Sequence, residues 1–276
     1  MKFTWKNWEH FCVRLAKNGL ISIPAKEVSE VDNSYVVLKH DVETDVKKAY
    51  QIACIEEKYC HKGSFYVQAY LLDNPQNVEL LRQISNMGHE VSYHYDVLDS
   101  NKGNIPKALE EFESNKKIFE SLGFEIKTVC QHGNPVIERI GYASNRDFFR
   151  DSEIKKIYPK ISDIMVDFKQ KHNTNYLYFS DAGRRFNLIF DPINNDIEKN
   201  DDKNIPYNSL DELFGALSSD MGNIISIHPH RWTKSALNYE IKTVVFKLIC
   251  SVARLLTKVP IAKKIMSKYY YLAKKI

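Results

Sequence analysis

The sequence predicts an α/β protein built on parallel strands. Short apolar runs alternate three times with amphipathic helical patterns within about 100 residues, and that alternation requires parallel strands joined by helical crossovers. The chain has 276 residues. That length suits one large domain, and an α/β barrel commonly takes roughly 250 residues.

The elements follow in order. Trp8, Phe11, Cys12, Leu15 and Ala16 fall at helical spacing, and Gly19 stops that helix. YVVL (35–38) reads as a buried strand, and 45–59 as a helix with Val46, Ala49, Tyr50, Ala53 and Ile55 on or near one face. GSFYVQAY (63–70) is a strand, 77–88 a helix ended by Gly88, and HEVSYH (89–94) the next strand. Residues 105–123 form a helix with Pro106 in the first turn and Gly123 past the end. IKTVCQH (126–132) is again a strand. Residues 134–180 are less regular, although YLYFSD (176–181) reads as a strand. Residues 194–204 read as a polar surface loop, 209–219 as a helix capped by Ser209, and NIISIHP (223–229) as the last strand. No internal repeat and no Pro- or Ser-rich linker divides the chain. The reading is one domain over 1–240 with an appended tail, 241–276.

Five scattered cysteines without a CxxC pair argue against a disulfide framework and against a cysteine zinc site. A reducing compartment is the simpler expectation. The N-terminal stretch carries charges throughout and has no apolar signal core, and no window holds 18 consecutive apolar residues. A cytoplasmic protein is expected. Net charge is +4. Nine Lys or Arg and no acidic residue lie in 241–276, which leaves 30 basic and 35 acidic residues in the first 240. An acidic body with no recognised binding motif argues against nucleic acid as a partner.

Ligands of parallel α/β folds gather at the carboxyl ends of the strands. VVLK is followed by His40, Asp41 and Glu43; HEVSY by His94 and Asp96; KTVCQ by His132; YLYFS by Asp181; NIISI by His228 and His230. Five strands thus deliver imidazole or carboxylate to one face. Neutral imidazole with carboxylate binds a divalent metal such as zinc. A metal polarises carbonyls and acidifies water, a carboxylate beside it serves as base, and a histidine opposite serves as acid. The combination describes metal-assisted hydrolysis of an amide or ester. Taken singly, such residues are more often caps or satisfied hydrogen-bonding groups. His10, His61 and His172 read as surface residues, His89 as structural, and Asp45 as a helix N-terminal charge.

LKHDVETD, GHEVSYHYD, HGNP, FSDAGRRF and SIHPHRW, in that order, resemble the polysaccharide deacetylase family, the NodB-homology carbohydrate esterases. More closely they resemble a cytoplasmic branch that accompanies surface-polysaccharide gene sets. The likeness runs from about residue 5 to 232. The first two motifs are fairly specific as a pair, and the other three are weak alone. It implies a distorted (β/α)7 barrel, a divalent metal (zinc first, with cobalt, manganese or nickel as other choices), and removal of an N-acetyl or N-formyl group from a nucleotide- or lipid-linked sugar. Position by position, it implies Asp41 as catalytic base, His228 as the acid for the leaving amine, and Glu43 and His94 as metal ligands. Asp96, Asn134, Asp181, His230 and Trp232 are expected at the substrate.

The chain departs from the family pattern at three points. Leu98 stands where a second metal-binding histidine is usual, Glu43 stands where aspartate is usual, and CQHGNP occupies the place of an arginine motif that steadies the base. Either His132 or Asp96 completes the ligand set, or the metal is weakly held, or catalysis has been lost. In the last case the chain is an inactive barrel that binds a glycan or scaffolds biosynthetic enzymes.

In the tail, Val244, Leu248, Val252, Leu255, Ile261 and Ile265 recur at helical spacing with lysines between, Pro260 kinks the run, and Tyr269, Tyr270 and Tyr271 follow. Two readings stand: a terminal helix packed on the domain, or an interfacial helix making peripheral contact with anionic lipid.

Overall fold

The structure, a computed structural model, describes residues 1–31, 34–134, 137–198 and 200–256. Helix α1 (Trp5–Lys17) opens on Thr4, whose hydroxyl accepts from the Asn7 amide, and buries Trp8, Phe11, Cys12 and Leu15. Strand β1 (Val36–Val42) leads into α2 (Val46–Lys58), capped by Asp45, whose carboxylate accepts from the Lys48 amide. Next come β2 (Gly63–Val67), α3 (Pro75–Asn86), β3 (Glu90–Tyr95), the short α4 (Val97–Ser100), α5 (Ile105–Ser121) and β4 (Thr128–Gln131). The irregular middle resolves into α6 (Asp147–Arg150), α7 (Ser152–Ile157), the two-residue β5 (Ser162–Asp163) and α8 (Phe168–Lys171). Then follow β6 (Tyr176–Ser180), β7 (Phe186–Leu188), β8 (Ile205–Tyr207), α9 (Leu210–Gly215), β9 (Gly222–Ile227) and α10 (Ala236–Leu256). The expected helix over 209–219 is therefore much shorter, and the expected boundary at 240 falls inside α10.

All nine strands share one sheet, in the order β5-β4-β3-β2-β1-β9-β6-β7-β8. From β5 to β6 every pairing is parallel, which makes a run of seven parallel strands; β7 is antiparallel to β6 and to β8, so it alone runs the other way. Among the described residues the strand pairings leave the sheet open, so the α/β class is as expected while closure into a barrel is not shown. The reason lies at β6, whose second edge is taken by β7 through Phe179 and Ser180. At its other end, Tyr176 reaches toward β5 by side chain alone, its hydroxyl donating to the Ile164 carbonyl at 3.3 Å.

Two apolar clusters follow from strand alternation. Val36, Leu38 and Val42 face the helices and join Phe65, Val91, Ile225 and Ile227 there. Val37 faces the opposite way and meets Tyr66, Cys130, Ile164, Tyr178 and Ile224. Inward side chains from β1, β2, β4, β6 and β9 therefore pack on one another, so the sheet is strongly curved.

Gly63 is required by close approach rather than by dihedral angle. A Cβ there would lie 2.8 Å from both the His40 ring and the Leu38 carbonyl and 2.9 Å from the Glu56 carboxylate. Gly63→Ala is expected to lower stability by roughly 1–3 kcal/mol, the usual cost of overpacking. Urea unfolding of the full chain measures this, and an unchanged midpoint would contradict the packing described.

Candidate metal centre

Strand alternation decides which polar groups of β1 reach the site. Lys39 and Asp41 point to the inner face, with Glu43 just past the strand end. His40 points the other way, which corrects its expected place among the converging groups. Its Nε2 lies 3.1 Å from Glu56 Oε2, its ring is tilted on Phe65 at 4.1 Å, and Glu56 also accepts from Trp8 Nε1 at 3.0 Å. His89 is structural, as expected: its Nδ1 accepts from the Gly63 amide at 2.8 Å, and burial pushes its pKa down to about 4. His61 is buried rather than superficial. Its Nδ1 accepts from the Ser22 amide and its Nε2 donates to the Cys12 carbonyl.

Glu43, His94 and His132 bring one ligand atom each to within 4.8 Å of one another, and all three are buried. His94 Nδ1 lies 3.0 Å from the Cys130 carbonyl. A carbonyl only accepts, so Nδ1 carries the proton and Nε2 is left with the lone pair a metal needs. Burial pushes His94 down to about 3, outweighing the pull of the nearby Asp41 charge. The ring is therefore neutral at physiological pH, the form that ligates. His132 stands perpendicular to His94, with ring centroids 5.2 Å apart, and its Nε2 is 3.4 Å from Glu43 Oε1. Two imidazoles and one carboxylate make up a donor set suited to a catalytic zinc with an open position, so the residues fit such a metal.

Asp41, His94 and Cys130 form a second group of compatible spacing. It is the poorer choice. Burial drives the Cys130 thiol well above its ordinary pKa, and the Lys39 ammonium already sits on Asp41.

That ammonium was not foreseen as a site group. Lys39 is 1% exposed, and its Nζ lies 2.5 and 2.7 Å from the two Asp41 carboxylate oxygens and 3.2 Å from Ser226 Oγ. The rings of Tyr66 and Tyr178 lie 5.7 and 5.9 Å from it, within cation–π range. Burial alone would raise Asp41, but the Lys39 charge, with help from His94 and His228, holds the carboxyl down at about 2. The signal for Lys39 was its place two residues before Asp41, hence on the same strand face.

A second acid fixes the other side. Asp181 Oδ1 accepts from His228 Nδ1 at 2.6 Å and from Arg231 at 3.1 Å; its Oδ2 accepts from the His228 amide at 3.1 Å and from Trp232 Nε1 at 3.2 Å. Burial raises Asp181, but the His228 and Arg231 charges reverse this and its pKa falls below the usual value. With Nδ1 so engaged, His228 turns Nε2 inward, 3.8 Å from both Asp41 Oδ2 and Glu43 Oε1.

A cavity of about 730 Å³ opens over these groups. Asp41, Glu43, His94, Asn134, His228 and His230 line it. Three of the residues expected at the substrate do not line the cavity. Asp181 and Trp232 are fully buried, the one engaged by His228, Arg231 and Trp232, the other stacked on Phe3 at 5.0 Å. Asp96 lies outside the lining, at the start of α4, 3.5 Å from the Gln68 amide nitrogen. Leu98 is fully buried, and its backbone amide donates to Asn145 Oδ1.

Arg139, Arg146 and Arg184 in the lining were also not foreseen. Arg139 forks onto Asp99 with two bonds of 2.8 Å. Arg146 and Arg150 both hold Asp196, so the expected surface loop is pinned as a wall of the cavity. Those arginine pairings are long-range and leave no local sequence pattern.

No family model matches the chain, and neither does any curated protein or solved structure.

Lys39→Met removes the counter-charge of a buried carboxylate, so a loss of roughly 3–5 kcal/mol is expected at pH 7. The native Asp41 pKa lies below the ordinary 3.8, so its stabilising contribution is present above about pH 4 and is lost as pH falls toward about 2. In the variant, burial raises the carboxyl instead, so the deficit is largest at neutral pH and shrinks on acidification. Urea midpoints at neutral and mildly acidic pH check this, and a deficit constant across that range would contradict the pairing.

Proposed function

We propose that the chain is a metal-dependent hydrolase that removes an N-acetyl or N-formyl group from a nucleotide- or lipid-linked sugar during surface-glycan synthesis. One observation carries the reading. A buried carboxylate–imidazole–imidazole set lies beside two acid-paired groups, Lys39–Asp41 and Asp181–His228, and Lys39, Asp41, Glu43, His94 and His228 of these line one cavity. The resemblance of the sequence motifs to polysaccharide deacetylases supports the substrate class. With that function goes a distorted (β/α)7 barrel, supported by the seven parallel strands and the inward-packed cluster.

Glu43, His94 and His132 would hold the divalent cation, zinc being the first choice for this donor set and cobalt, manganese or nickel the others. When bound, such an ion supplies Lewis-acid polarisation of an acyl carbonyl and acidifies water. Asp41 accepts the proton of the attacking water. Lys39 keeps that carboxylate ionised through the physiological range, at the expense of its strength as a base. His228 gives its Nε2 proton to the departing nitrogen as the C–N bond breaks, leaving a free amine and a carboxylate. Asp181 holds His228 in the Nδ1–H tautomer and stabilises the imidazolium, as the buried acid does in a Ser-His-Asp triad. The open carboxyl ends of β1, β3 and β9 admit a sugar-sized group above these atoms.

The Lys39–Asp41 pair favours a second reading, because it occupies both oxygens of the proposed base. In that case the cavity binds a glycan without turnover, or the chain scaffolds biosynthetic enzymes.

Elemental analysis of the purified chain is expected to find one divalent metal per chain, lost in His132→Ala. Acetate release from N-acetylated nucleotide- or lipid-linked sugars is expected to fall by about 10²–10⁴-fold in Asp41→Asn, with the metal retained. No bound metal together with unchanged turnover in Asp41→Asn would overturn the hydrolase reading. Sugar binding without turnover in the metal-loaded wild-type chain would establish the second.

A further inference from the structure

Helix α10 carries an apolar stripe that nothing in the described structure covers. Leu237, Val244 and Leu248 are each 65% exposed, and Ile241 and Val245 are exposed with them. Their spacing of four, three, one and three residues puts all five on one side of the helix. The helix is anchored elsewhere, by Tyr239, which is buried against Phe3 at 5.7 Å. The stripe is thus an outward face of a docked helix rather than a displaced core face.

Glu240, the one acid of this helix, is exposed and paired with Lys2 at 2.5 Å, and past it the sequence turns basic. From Ile241 onward the sequence has nine Lys or Arg and no acid, against an excess of five acids in the preceding 240 residues. Lys242 lies beside Lys48, whose Nζ donates to the His230 carbonyl at 2.5 Å; Arg184, on the cavity lining, adds its charge to the same neighbourhood. The root of α10 therefore sits next to the cavity rim in a cluster of cations. Burial, with repulsion from Lys242 and against the pull of Asp45, pushes Lys48 down to about 8. Among the described residues no helix is long and apolar enough to cross a membrane, so a lipid partner would be met at its surface.

We propose that α10 lies along an anionic bilayer surface, with the Leu237–Leu248 stripe in the headgroup–acyl boundary and the basic residues on the lipid phosphates. An exposed apolar stripe rich in aliphatic residues, followed in sequence by basic residues and no acid, is the composition of an interfacial helix. Each basic residue near an anionic surface adds favourable energy. Such docking sets the cavity rim close to the lipid headgroups. Residues 257–276 lie outside the described residues and contribute only the charge of their sequence, six of the nine cations.

The test is co-sedimentation of the full chain with vesicles of phosphatidylcholine alone or mixed equally with phosphatidylglycerol. Binding is expected to be about tenfold or more tighter to the mixed vesicles, to weaken in high salt, and to fall by about tenfold in Val244→Asp/Leu248→Asp. Leu237→Ser/Ile241→Ser, an independent pair on the same side, is expected to weaken it in the same direction. Native circular dichroism and melting in either pair show that the fold is intact. Absence of binding to anionic vesicles, or equal binding by wild type and both variants, overturns the proposal. So does a dimer in lipid-free solution that becomes monomeric in the variants without vesicle binding by either, since a second copy then covers the stripe. Turnover of a soluble sugar by the same preparations is a separate readout, so failure here is distinguishable from failure of the hydrolase reading.

Discussion

The buried pair of Lys39 and Asp41 constrains everything else at the strand ends. Two full charges removed from water carry a desolvation cost of several kcal/mol each, recovered only by close geometry and by hydrogen bonds to the remaining protons and lone pairs. Here the ammonium meets both carboxylate oxygens and Ser226 Oγ, with the faces of two tyrosine rings nearby. The consequence reaches beyond Asp41. A fixed ammonium on this side disfavours a second cation beside it, which weakens the Asp41–His94–Cys130 group as a metal site. Glu43, His94 and His132 remain as the set a divalent ion can occupy.

The histidines of the centre share one device. Each is turned by what its Nδ1 meets: the Cys130 carbonyl for His94 and the Asp181 carboxylate for His228. The two partners act differently. A carbonyl fixes the tautomer and adds no charge, so burial dominates and His94 stays neutral, as a ligand must. A carboxylate fixes the tautomer and also places a negative charge behind the His228 ring, which would suit the proton donor of the proposed reaction. In the proposed hydrolase, the division between ligand and acid would thus lie in the groups behind the imidazoles, not in the imidazoles themselves.

The convergence of Asp41, Glu43, His94, His132 and His228 was legible because parallel strands present their carboxyl ends on one side, and the order of apolar runs reveals parallel strands. What period-two alternation adds was also present in KHDVE, and it separates Lys39, Asp41 and Glu43 from His40. Counting polar groups after a strand, rather than along its inner face, placed His40 in the site and left Lys39 out. Asp181 and Trp232 are a different case. Both stand where substrate residues are expected, yet they are buried because one carboxylate must satisfy His228, Arg231 and an indole at once, and no local pattern encodes that. The open edge of the sheet was equally hidden, since it depends on β7 turning back onto β6 across a loop without regular periodicity.

The two acid-paired groups differ in what holds them together, and that difference bears on how the site assembles. Lys39 and Asp41 are two residues apart on one strand, so their encounter is set once β1 is extended and buried. Asp181 and His228 come from the ends of β6 and β9, 47 residues apart, and meet only when those strands are in register, Ser180 opposite Ser226. A slip by one residue would turn every side chain of β9 to the other face and carry His228 away from Asp181. The ionised carboxylate is therefore a local property of β1, whereas the oriented imidazole is a property of the whole sheet. A lesion anywhere along β6 or β9 reaches the His228–Asp181 side of the site first, while the state of Asp41 depends on Lys39 at its side.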